Sequence, residues 1–184
     1  DTAPFRGKQD DVAFATPQRG WYVNGSGKIY RSDDAGARWV EQLSKPGTYF
    51  RCIGFVDEQR GFAGNIGTDY FPGVSDTTPL YQTTDGGQTW QPVTAINGPA
   101  VKGLCAIDVL KSRFINAGVL DERVVIHAAG RVGSPAFLMR SLDAGATWRS
   151  MDLNNQAAMV LDEPTLQVLR RAAEELGRSV HAEK

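Results

Sequence analysis

Three aspartates, Asp34, Asp85 and Asp143, stand in one repeated octapeptide setting: Ser32–Trp39 (SDDAGARW), Thr83–Trp90 (TTDGGQTW) and Ser141–Trp148 (SLDAGATW). A carboxylate two residues after a hydroxyl can do acid–base or metal chemistry, but the same set of residues also meets every demand of a tight turn. The carboxylate accepts N–H groups just ahead of it, the hydroxyl of Ser32, Thr83 or Ser141 makes a similar local bond, and Gly36, Gly87 and Gly145 permit positive φ. Trp39, Trp90 and Trp148 then enter the following strand, where a large ring packs beneath the turn or between sheets. These twelve residues are therefore expected to be structural, with no metal and no catalytic role.

Other candidates for chemistry are few. His127, one of two histidines, lies in an apolar run four residues before Arg131; it could titrate in a site, and Arg131 could clamp an anion. No second His, Cys or carboxylate stands near His127 at ligand spacing. Cys52 and Cys105 occupy matching places in successive repeats, and without a C-x-x-C motif they read as free, buried thiols that act as small apolar residues. Gly25-Ser26-Gly27 does not complete a nucleophile elbow, and no glycine-rich stretch ends in Gly-Lys-Ser/Thr. The remaining candidate is Asp69-Tyr70-Phe71, two adjacent aromatics in a long insertion, which would make a binding loop on a rigid scaffold. No cofactor is expected.

The elements that must position these residues follow from the period. The boxes recur after 51 and 58 residues, a spacing that belongs to arrays of small antiparallel sheets, none of which can bury both faces alone. Val12-Ala13-Phe14 leads to Gln18-Arg19-Gly20-Trp21, and Ile53-Gly54-Phe55 to Gln59-Arg60-Gly61-Phe62, at an offset of 41. With a short apolar strand before each box and another after it, every unit has four strands, the content of a propeller blade. The predicted fold is thus all-β: a partial β-propeller of about three four-stranded blades over roughly 10–45, 48–95 and 101–153, with each box in the turn between the third and fourth strands. In unit three the second strand is either Phe114–Val119 or Val124–Ala129, with the latter preferred. Gln156–Leu161 reads as the opening strand of a further blade, which ends the propeller-like region 1–161. Residues 162–184 read as a C-terminal helix and tail, because Asp162-Glu163-Pro164 is a helix start and Leu166, Leu169, Ala173 and Leu176 share a face.

The box framework, together with Gln-Arg-Gly-Trp and Gln-Arg-Gly-Phe before the hairpins, resembles the Asp-box, or BNR, repeat β-propellers, closest in flavour to photosystem II stability and assembly factor-like proteins. The resemblance spans roughly residues 10–161. It implies a non-enzymatic binding or assembly scaffold with a protein or glycan partner, and it favours an exported location. Sialidases share the box, but they need an arginine cluster and a tyrosine nucleophile with a carboxylate partner, plus an acid. Phe5-Arg6 is only a faint echo of their first arginine motif, because Gly7-Lys8 follows it. A closed propeller takes four or more blades. Three blades leave an apolar flank, which predicts self-association as a homodimer through that flank and the C-terminal helix.

Composition fits this reading. Twenty Lys and Arg against 21 Asp and Glu give a net charge of −1, so no global field argues for nucleic acid. No apolar run approaches the length that crosses a bilayer, so no membrane insertion is expected. The chain begins at Asp1, which fits a removed export signal or a cloning boundary equally well.

Overall fold

The computed structural model describes residues 8–116, 118–131, 133–135 and 138–152. The chain divides into two units, Asp1–Met151 and Asp152–Lys184. The strand expected at 156–161, the helix expected within 162–184 and the Phe5-Arg6 motif all lie outside the described residues.

The first unit contains three sheets. The first is the meander β1 (Gln9–Phe14), β2 (Gly20–Asn24), β3 (Lys28–Ser32) and β4 (Val40–Ser44). The second repeats it with β5 (Phe50–Phe55), β6 (Gly61–Asn65), β7 (Leu80–Thr83) and β8 (Gln91–Pro92). The third has five strands rather than the expected four. β9 (Ile96–Asn97) joins its outer edge parallel to the last strand, so the order is β10 (Leu104–Asn116), β11 (Val119–Gly130), β12 (Leu138–Ser141), β13 (Trp148–Met151), β9.

Neither alternative for the second strand of unit three describes it fully. β10 and β11 pair continuously from Ile107↔Ala128 out to Asn116↔Val119, a ribbon twice the length of any other hairpin in the unit. The preferred segment 124–129 does lie in the second strand, while Phe114–Asn116 prolong the first. The sequence hides this because Val-Val-Ile and Arg-Phe-Ile are equally good strand cores.

Every box closes the turn between a third and a fourth strand, and its bonds are those the residue types predict. The Ser32, Thr83 and Ser141 hydroxyls donate to Asp34, Asp85 and Asp143 at 2.8, 2.8 and 2.7 Å. The same hydroxyls accept the amides of Gly36, Gly87 and Gly145 at 2.8, 2.8 and 2.7 Å. Each carboxylate also accepts the amide four residues on, from Arg38, Thr89 and Thr147. In boxes two and three the Thr89 and Thr147 hydroxyls add a second bond at 2.6 Å, which Arg38 cannot supply.

Two seams between sheets hold the core. At the first, Trp21, Val23 and Ile29 face Phe50, Ile53, Phe55, Tyr81 and Trp90; at the second, Phe62 and Leu80 of the middle sheet face Leu104, Ile126, Met139 and Trp148. The middle sheet is thus covered on both faces. Trp21 stacks on Phe55 with centroids 3.5 Å apart, and Phe62 meets Trp148 edge-on at 5.2 Å. The first seam is also tied at its inner edge, where Arg51 donates to Asp10 at 2.6 Å and the Ile53 amide donates to Asp11 at 2.9 Å. Cys52 and Cys105 are both unbridged; Cys52 is buried, but Cys105 is only half-buried, a correction to the expected pair of buried thiols. Burial pushes both thiols up, so neither is an activated nucleophile.

Candidate functional site

The long connection between β6 and β7 is built from its two ends. Asn65 is fully buried and uses its whole amide: its oxygen accepts the Tyr49 and Gly67 amides, both at 3.1 Å, and its nitrogen donates to the carbonyls of Asp76 and Thr78. Asp76 clamps the other end, accepting the Thr48 and Tyr81 hydroxyls at 2.6 Å each and the Thr78 amide at 2.9 Å. Burial alone would raise the Asp76 carboxyl, but these donors and the Lys45 charge hold it below its ordinary 3.8. Burial and the Asp76 bond together push Tyr81 up to about 12.

Sequence reasoning missed both anchors, although a signal was present. Asn24 ends β2 as Asn65 ends β6, and its side chain accepts the Ser26 and Lys28 amides to close the short hairpin of the first sheet. The same anchor thus carries a minimal turn in one sheet and a long insertion in the next.

On this frame the loop tip is presented. Tyr70 and Phe71 are 48% and 36% exposed and contact each other edge-on. Phe71 stacks on Tyr49 at 4.8 Å. Arg131 comes from the end of β11 in the third sheet; it is 5% exposed, donates to the Thr68 carbonyl at 2.6 Å and places its guanidinium 5.7 Å from the Tyr70 ring centre. Asp69 adopts φ of 67°, a left-handed conformation that Asp tolerates, and is exposed between them. The structure therefore brings together Asp69, Tyr70, Phe71 and Arg131. His127 does not join them: it sits within β11, paired across the sheet with Asp108 and Arg140.

Beside the stacked rings lies a cleft of about 470 Å³, lined by Lys8, Gly25, Ser26, Thr48, Tyr49 and the segment Phe71–Val74. The Tyr49 ring lies flat on Gly25, where a Cβ would approach within 2.6 Å. Burial and the neighbouring Asp10 carboxylate push Tyr49 up to about 12, so at neutral pH its phenol is a hydrogen-bonding group and not a base. Asp10 is in turn raised by burial, which outweighs its bonds from Tyr49 and Arg51. Among the described residues, no cluster of three or more His, Cys, Asp or Glu could hold a metal ion. What the arrangement offers is exposed aromatic surface beside a cleft that carries one lysine, groups that can stack and form hydrogen bonds.

Fold and turns together define an array of Asp-box blades of the β-propeller type, and the BNR/Asp-box repeat family matches residues 81–92, the second box. Within that class the chain is similar to photosystem II assembly factors. It is 41% identical over 61 residues to the chloroplastic photosystem II stability/assembly factor HCF136 of Cyanidioschyzon merolae, a match covering 32% of this chain and 14% of that protein. Among solved structures it resembles YCF48 bound to D1 peptide, with a TM-score of 0.54 and 19% identity over 80% of this chain and 42% of that one. It also resembles the GH74 enzyme of Niastella koreensis, with a TM-score of 0.50 and 20% identity over 80% of this chain and 23% of that one. At these identities the structural likenesses show the fold alone. The chain spans less than half the length of each of these proteins.

Proposed function

We propose that this chain is a non-catalytic binding module that holds an extended peptide segment of a protein partner on the Tyr70–Phe71 loop and its adjoining cleft. The observation that carries the reading is the assembly, from three different sheets, of exposed rings on rigid supports: Phe71 on Tyr49, Tyr70 against a buried Arg131, and Gly25 beneath Tyr49. Aromatic groups that are half-exposed yet fixed on both sides lose little entropy on binding, which is the character of an interface anchor. The likeness to YCF48, whose solved structure holds a D1 peptide, supports a peptide as the occupant. Lys8 lines the cleft and Asp69 is exposed next to Tyr70, which favours a segment bearing both charges. His127 belongs to a different face and has no part in this contact.

The test is titration of the purified chain with the D1 peptide, followed by calorimetry. Tyr70→Ala/Phe71→Ala should weaken binding by roughly tenfold or more, about 1.4 kcal/mol per decade, and leave the unfolding free energy within about 0.5 kcal/mol of wild type. Binding unchanged by the double variant overturns the proposed surface. Turnover of any substrate in a glycoside panel that includes sialosides and xyloglucan overturns the non-catalytic reading.

A further inference from the structure

Strand register aligns the box ends of the first two blades residue by residue. Gly20 and Gly61 pair with Ser32 and Thr83, so Trp21 and Arg31 in the first blade correspond to Phe62 and Gln82 in the second. Trp21 and Phe62 are knobs inserted over the next blade's box, and Gly87 and Gly145 are their sockets. One step outside this packing, Arg19 corresponds to Arg60, each just before a paired glycine, and Asp33 to Thr84, each just after a paired hydroxyl residue.

The first seam fills the space beside its knob with charge. One oxygen of Asp33 accepts Arg19 Nε at 2.5 Å and the other accepts Arg31 at 3.1 Å, while Arg31 also donates to the Gly86 carbonyl at 3.2 Å. Burial alone would raise the Asp33 carboxyl, but the two guanidiniums hold it below its ordinary 3.8. Arg19 also faces Glu58 at 3.8 Å.

The second seam keeps the cation without these anions. Thr84 stands in the place of Asp33 and Gln82 in that of Arg31, and the short turn that carries Glu58 becomes the β10–β11 ribbon in the next sheet. Among the described residues, Arg60 makes one long side-chain bond, to the Ala144 carbonyl at 3.4 Å. Asp57 is near, but its Oδ1 accepts the Gln59 and Arg60 amides at 2.8 and 2.7 Å, which ties it to its own turn. Between these residues lies the cleft of about 340 Å³, with Arg60, Gln82 and Thr84 in its wall and the small residues Ala144, Gly145 and Ala146 beside them.

We infer that this cleft binds the carboxylate of an acidic side chain on a partner polypeptide, seated between Arg60, Gln82 and Thr84 as Asp33 is seated between Arg19 and Arg31. The first blade carries the occupant in its own chain, and the second takes it from another. A guanidinium holds a carboxylate by charge-assisted bonds, and the Gln82 amide and Thr84 hydroxyl are further donors. The volume is at the small end of ligand sites and suits one side chain. The cleft lies at the Gly61 end of β6, whereas the Tyr70–Phe71 loop leaves from the Asn65 end, so the two contacts are independent.

The test is a titration of the chain with the peptide Gly-Asp-Gly, capped at both ends, read by NMR on the side-chain N–H groups of Arg60 and Gln82. Both should shift saturably, and capped Gly-Asn-Gly should bind at least roughly tenfold more weakly. Arg60→Gln, an exposed turn substitution, should cause a similar loss read on Gln82. Gln82→Arg/Thr84→Asp installs the first-seam pair and should abolish binding while circular dichroism shows a folded chain. No saturable shift, equal affinity for the Asp and Asn peptides, affinity unchanged by Arg60→Gln, or binding that survives in the double variant each overturns the inference. Tighter binding of glucuronate than of the aspartate peptide marks an acid sugar as the occupant and overturns the polypeptide assignment.

Discussion

The two internal seams use one design with different residues, and the difference separates packing from polar pairing. At the first, Trp21 and Arg31 both satisfy the Gly86 carbonyl, and Arg31 also bridges to Asp33 at 3.1 Å. At the second, Phe62 and Gln82 stand in their places; the Ala144 carbonyl receives a long contact from Arg60 at 3.4 Å, and a cleft of about 340 Å³ remains beside Gln82. Both knobs are essentially fully buried. Ring burial is therefore common to both seams, while the box carbonyl takes two donors, Trp21 and Arg31, at the first and one longer bond from Arg60 at the second.

The largest expected effect is loss of a knob. Trp21→Ala and Phe62→Ala should each cost about 3–5 kcal/mol in denaturant unfolding, with Trp21→Ala the worse by about 1 kcal/mol for its lost carbonyl bond. Equal losses would show that the carbonyl pairing contributes nothing. Filling a socket comes next. Gly145→Ala, at φ of 90° with a Cβ that would strike the Phe62 ring, should cost about 3 kcal/mol; Gly87→Ala, with 2.9 Å to Trp21, should cost about 2 kcal/mol. Gln82→Arg should convert the second seam toward the first and raise stability by about 1 kcal/mol, visible as a higher midpoint with unchanged denaturant slope.

The smallest effect is electrostatic. Burial raises Asp85 and Asp143, but their threonine donors more than offset it, and the net shift is downward; Asp34 is lowered first by the Arg38 amide. A folded value below the ordinary 3.8 gives stability that is present above that value and lost as pH falls through the folded one. Asp85→Asn should cost about 1 kcal/mol at pH 7, and the difference from wild type should vanish in strong acid. Asp34→Asn should cost less, because Arg38 stands where Thr89 and Thr147 give the other two boxes a second hydroxyl bond. Asp10, raised by burial, works in the opposite sense: its contribution is present below 3.8 and is lost as pH rises through its folded value.

The boxes were legible because their bonds close within four residues, so type and spacing suffice. Asp69, Tyr70 and Phe71 could be picked out for the same reason: an insertion is visible as length. Their support by Arg131 was guessed as a neighbour in function, yet its physical basis, the bond to the Thr68 carbonyl, joins residues 63 apart and has no local trace. His127 pairs with Arg140 in the register that Trp21 and Phe62 share with Arg31 and Gln82, a correspondence hidden in the sequence because the lengthened β10–β11 ribbon breaks the offset that aligned the first two units. Asn24 and Asn65 kept that offset and could have been found.

The ribbon also bears on aggregation between chains. Beyond Val124 its two strands pair only with each other among the described residues, and Ile115, Val119 and Leu120 near its end are 76%, 67% and 69% exposed. Such a strand pair is a template for indiscriminate growth by further chains. Lys111, Arg113, Asp121, Glu122 and Arg123 interrupt both of its edges, and Arg113 pairs with Glu122 across it at 2.9 Å. These charges act as gatekeepers against fibre formation, and neutralising them would convert a protruding arm into a nucleus for aggregation.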